Sequence, residues 1–216
     1  MKREKRKGYI YKSYRFSGMV SLPIVFGLSG IAKVFVPVFL GPGYDLVEVL
    51  LPLMSVNIIA IAYAYVTGYA YLISTKQQNV YTMSVTVGAV ASLFLDFLLI
   101  PRFGVIGAAI ASVSAEVIGA SIQIIYCCAK KQLLINTVFS SLWKYFVAAS
   151  TMLISLLLTR SYITTSFVGL LLLILQGIAV YVLFLILLRD DFFLKTINDI
   201  LMRIQKIKKI REAKQK

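Results

Sequence analysis

The chain has 216 residues, 59% of them hydrophobic, a mean hydropathy of +0.84, and 23 Lys and Arg against 9 Asp and Glu, for a net charge of +14. Soluble domains are about half apolar, so this balance argues against one and points to a membrane protein with cationic margins. A nucleic-acid partner is not expected, because no soluble basic module is left once the hydrophobic runs are set aside.

Residues 1–15 form a basic tail with Lys2, Arg3, Lys5, Arg6, Lys7, Lys12 and Arg15. The apolar run Phe16–Leu40 follows. It is longer than a signal-peptide core, contains Lys33 and lacks an A-x-A site, so it reads as an uncleaved first membrane helix. Pro23 and Pro37, with Gly27 and Gly30, are expected to break it up, which makes it the candidate moving part. "GPGYD" at 41–45 is a turn. The second span, Leu46–Ile73, opens on Glu48, where an acid suits a helix N-terminus, and carries Pro52 and Asn57. "STKQQN" at 74–79 is a polar link. Val80–Ile100 is the third span, with Asp96 near its end. "PRFG" at 101–104 is a tight reversal in which Pro ends one helix and Gly permits the next. Spans four to six are Val105–Ala129, Leu142–Thr159 and Phe167–Leu188, separated by "KKQLLIN" and "RSYITT".

A span needs about 20 mostly apolar residues. None of the six runs shows the period-two alternation of a membrane barrel. The expected fold is therefore all-α: a polytopic membrane protein with six transmembrane helices over 16–188. Twenty of the 23 Lys and Arg fall on the side of the two tails, Lys33 lies within a span, and only Arg102 and Arg160 fall on the other side. An even number of spans puts both tails together, and the positive-inside rule places them in the cytoplasm. Within the second tail, 189–216, Phe193, Leu194, Ile197, Ile200, Leu201, Ile204 and Ile207 recur at helical steps between Lys and Arg. This reads as an amphipathic helix on the inner leaflet, drawn to anionic lipid.

The fourth span is the least like plain lipid filling. Gly104, Ala108, Ser112, Glu116 and Ala120 step by four, and so do Gly107, Ala111, Ala115 and Gly119. Two ridges stripped of bulk call for the close approach of another helix. Glu116 lies on one ridge, so it should face protein or a cavity. An acid at that depth marks either a substrate path or a structural pair. Lys33 either snorkels to the headgroups or meets an acid or an anionic substrate. Asp96 is either an interfacial acid near Arg102 or a ligand-facing group. Asn57, Gln123 and Gln176 suit interhelical hydrogen bonds, and Gln123 shares a face with Glu116. The adjacent Cys127 and Cys128 suit small apolar fillers near a helix end. There is no His, no Walker loop, no GxSxG and no GxGxxG. Neither an enzyme nor a cofactor is expected.

Three stretches carry a resemblance. "LLIPRFGVIGAAIASVSAE" resembles the I-P-x-x-G-x-x-G-A-A signature of Wzx-type oligosaccharide flippases, in the multidrug/oligosaccharidyl-lipid/polysaccharide exporter superfamily. "FVPVFLGPGYD" resembles the segment opening that family's second lobe, and "YLISTKQQNVYTMSVTVGA" the stretch after it. The resemblance spans Tyr14 to Leu188. It implies a MATE-like fold of two six-helix lobes around a cavity, of which this chain matches the second. It also implies transport of undecaprenyl-diphosphate-linked oligosaccharides to the outer leaflet of a bacterial cytoplasmic membrane.

On that reading Glu116 and Lys33 line the path, with Asp96, Asn57 and Gln123 as further candidates. Arg15 waits at the cytoplasmic mouth for phosphate. Relatives commonly have Asn where this chain has Asp96, and the cations expected against a diphosphate belong largely to the first lobe. A partner lobe or a homodimer is therefore expected. The alternatives are a multidrug or cation antiporter, a lipid II flippase, and a truncated, non-transporting remnant.

Overall fold

The computed structural model describes residues 2–130, 142–196 and 202, with side chains from Gly8 onward. Among these there is no strand. The helices are α1 (Lys2–Phe39), α2 (Asp45–Ala64) continued by a π-helical segment (Tyr65–Ile73), α3 (Gln78–Phe103), α4 (Val105–Ala129), α5 (Leu142–Thr159) and α6 (Phe167–Leu187). A short helix, α7, covers 191–196. Six of the described helices are long and apolar enough to cross a membrane, so this is an all-helical membrane protein. Most of the expected amphipathic tail helix lies outside the described residues.

The links follow local chemistry. Gly41 and Gly43 take φ of 81° and 95° in the first turn, and Gly104 takes 55° between α3 and α4. This is the left-handed region that glycine enters at little cost. One residue thus reverses the chain, and the stop is Gly104: α3 continues through Pro101 to Phe103. Ser166 caps α6, its hydroxyl accepting from the Gly169 amide at 3.1 Å.

Two expectations for the first helix are revised. Helical structure begins at Lys2, so the basic stretch belongs to α1, and Ile10 and Tyr14 are buried. The helix also runs unbroken past Pro23 and Pro37. Its glycines serve packing instead. A Cβ on Gly30 would lie 2.9 Å from the Leu156 side chain, and one on Gly18 would lie 2.4 Å from Leu142. Tight contact with α5 thus holds α1 in place. The irregular backbone falls in the second span, as the π segment.

Packing builds two cores. Tyr145, Met152 and Leu156 of α5 interlock with α1 and with Leu173 and Leu185 of α6. Tyr14 of α1 meets Tyr63, Leu72 and Cys127 in the other, where Cys127 is a buried free thiol. Contacts at the bundle ends fix the topology. The hydroxyls of Tyr14 and Thr67 hydrogen-bond, and Arg15 meets Asp190 at 3.4 Å. At the opposite end, the rings of Phe39 and Phe167 are 6.3 Å apart. The start of α1 and the end of α6 are therefore on one side.

Candidate functional site

α3 packs on α4 and meets the second span chiefly at the π segment. It is the most peripheral of the six spans: only Ser84 and Gly88 along its length are buried. The backbones of α3 and α4 are close. A Cβ on Gly88 would sit 2.8 Å from the Ala115 carbonyl oxygen, and one on Gly119 would sit 3.5 Å from that of Ser84. The small-residue ridge through Gly107, Ala111, Ala115 and Gly119 thus receives a close neighbour, as the sequence predicts, and that neighbour is α3. The neighbouring ridge, which carries Glu116, is left partly open.

Above the π segment, α2 and α3 part and leave a cleft of about 710 Å³ floored by α4. Glu116 lies on this floor with its side chain exposed. It is eleven residues into α4, about 16 Å from the helix start. Ser92 and Ser112 line one end, and Tyr69, Tyr81 and Gln123 the other. Among the described residues, no Lys or Arg lines the cleft.

The π segment shapes the aromatic end. Its i→i+5 winding is wider than an α-helix and is frequent at functional sites. It presents Tyr65 and Tyr69 on one side, 62% and 53% exposed. Their rings stack with centroids 5.3 Å apart and planes 24° apart, and Tyr81 of α3 meets Tyr69 edge-on at 5.3 Å. Gly68 allows this approach, since a Cβ there would lie 2.7 Å from the Tyr81 ring and 3.0 Å from Gln123 Oε1.

Gln123 is 1% exposed. Its Nε2 donates to Ser84 Oγ at 2.9 Å, and that hydroxyl donates to the Tyr81 carbonyl at 2.7 Å. The Gln123 Oε1 is buried with no hydrogen-bond partner.

The other predicted residues lie elsewhere. Asn57 stands outside the cleft lining, its Oδ1 buried without a partner. Asp96 is half-buried in a separate groove of about 360 Å³ with Phe97 and Pro101, and it makes no ion pair with Arg102. Lys33 is exposed on α1 and does not line the cleft. It therefore does not meet Glu116. Gln176 makes the interhelical bond predicted for it, Nε2 donating to Ser155 Oγ at 2.8 Å.

Arg15 forms the only ion pair among the described residues, with Asp190. Asp190 is fully buried. Its Oδ1 accepts from the Tyr145 hydroxyl at 3.2 Å and from the Phe193 amide at 2.8 Å, which caps α7. The Arg15 guanidinium also lies 5.1 Å over the Phe192 ring.

Sequence reasoning missed Asp190 and the three cleft tyrosines. The signals were an Asp placed before the apolar "FFL", as an N-cap would be, and Tyr65 and Tyr69 spaced to share a helix face. No protein family matches the chain, and no curated protein or solved structure is significantly similar to it.

Proposed function

We propose that this chain is one lobe of a flippase that carries undecaprenyl-diphosphate-linked oligosaccharide repeat units across a bacterial cytoplasmic membrane, acting with a second lobe or a second copy. The observation that carries this reading is Glu116, a carboxylate with no ion-pair partner among the described residues, on the floor of a cleft near the middle of a spanning helix. An ionisable group at such depth costs a few kcal/mol even on lenient scales. A structural acid offsets that cost with partners, whereas this one faces open space. The resemblance of "IPRFGVIGAA" to the flippase signature supports the substrate class. The charge asymmetry supports cytoplasmic ends for both tails.

Passing a hydrated head through hydrocarbon while its lipid tail stays behind requires polar groups reachable from the side of the bundle. The largely apolar α2–α3 cleft carries such groups in Glu116 and its serine and tyrosine hydroxyls, and Lys33 adds an exposed cation on α1 for phosphate. The test is complementation of an export-deficient strain. Glu116→Gln and Lys33→Ala are each expected to reduce surface polysaccharide at equal protein level. Export unchanged in both removes the reading, and a reporter fusion placing either terminus outside removes its topology.

One observation favours a second reading. A cleft with one carboxylate and no cation also suits a cationic cargo, as in an antiporter. Sensitivity to cationic dyes in a deletion strain that keeps its surface polysaccharide would favour that reading.

A further inference from the structure

We propose that the α2–α3 cleft is a subsite for sugar rings, entered from the side of the bundle, and that the diphosphate of the same cargo is held elsewhere. The inference rests on the flippase reading for its substrate class, but its argument is the cleft's own chemistry.

The cleft offers acceptors and ring faces. Glu116 is an exposed carboxylate, and Gln123 Oε1 is a buried acceptor with no donor among the described residues. Both want O–H or N–H groups, which a sugar carries around its whole rim. Tyr65 and Tyr69 expose ring faces to the same space, and an apolar sugar face stacks on such a surface. A phosphate would bring further acceptors beside a bare carboxylate, with no Lys or Arg among the described lining residues to offset the repulsion.

The spacing argues against a metal or a point cation. Glu116 and Gln123 are seven residues apart, about 10 Å along α4, so they cannot close on one ion. Metal sites need oxygen ligands converging within about 2.6 Å of a centre, and no cluster of that kind exists among the described residues. The polar groups are instead strung along the cleft. From Tyr81 to Leu93 the α3 wall rises about 18 Å, room for a chain of rings. The lateral opening follows from α3 leaving the second span above the π segment. A head can enter there without its hydrocarbon tail leaving the bilayer.

The experiment uses the full chain in lipid nanodiscs and a photoreactive dodecyl maltoside, with labelled peptides mapped by mass spectrometry. Label is expected on 65–69 and 81–93. Unlabelled dodecyl maltoside should compete at concentrations about tenfold lower than dodecyl phosphate or dodecyltrimethylammonium, a margin one or two hydrogen bonds supply. Glu116→Gln and Tyr69→Ala should each cut labelling severalfold at unchanged thermal stability, and Tyr69→Phe should restore it. Label confined to other surfaces, or either charged amphiphile competing as well as the maltoside, overturns the subsite. Maltoside labelling as expected, beside export unchanged in both Glu116→Gln and Lys33→Ala, would keep the subsite and remove only the flippase reading.

Discussion

Asp190 and Glu116 are both carboxylates set against apolar helices, and they are treated in opposite ways. Asp190, where α6 hands over to α7, is enclosed by Arg15, the Tyr145 hydroxyl and the Phe193 amide. Each of these offsets part of the desolvation that burial imposes. Glu116 has no ion-pair partner among the described residues and faces a cleft lined by tyrosines and serines. The first arrangement is how a fold keeps a charge for its own construction. The second leaves a charge available to something else. Partner count, more than depth, separates the two.

The comparison can be broken most directly at Asp190. Asp190→Ala leaves the Arg15 guanidinium without its counter-charge and uncaps α7. A loss of about 3–5 kcal/mol is expected, read as a large fall in thermal unfolding temperature in detergent. Arg15→Met with Asp190→Leu should stand closer to wild type than either single change, because no orphan charge remains. If Asp190→Ala unfolds like wild type, the knot is decoration.

Next in size is Gly88→Val, which pushes a branched side chain against the Ala115 carbonyl and should cost about 1–3 kcal/mol. Its sharper readout is weaker disulfide cross-linking between cysteines placed on α3 and α4. Gln123→Leu removes the bond to Ser84 but also the side chain's own unsatisfied acceptor. The expected loss is therefore about 1 kcal/mol or less, checked in the same unfolding assay. The smallest stability effect belongs to Glu116→Gln, within about 0.5 kcal/mol of wild type, although export should fall. A large destabilisation there would make Glu116 a structural acid like Asp190.

Much of the scaffold was legible before any coordinates. Leu142–Thr159 and Val105–Ala129 are the observed α5 and α4, because an uninterrupted apolar run is a local signal that needs no partner to be read. That some helix packs closely on α4 was legible for a similar reason, though not that it is α3: a ridge of Gly and Ala has few uses besides close approach.

What stayed hidden was relational. Arg15 and Asp190 are 175 positions apart, and no local pattern connects them. The sequence offered Pro23 and Pro37 as the place for an irregular backbone, yet tight packing on α5 holds α1 helical there. The widened turn arises instead in Tyr65–Ile73, where a run free of proline gives no warning. The cleft followed from that turn, so Glu116 could be suspected while its tyrosine wall could not.

The bond between Arg15 and Asp190 also sets an order of events during synthesis. The cation is made first and its anion 175 residues later, so at ordinary translation speeds of 5–20 residues per second the arginine waits roughly ten to thirty-five seconds. In that interval the nascent helix must rely on headgroup phosphates or the insertion machinery for company. The arrival of Asp190 is then a signal that α6 has come through, and the two ends of this bundle lock only at that point.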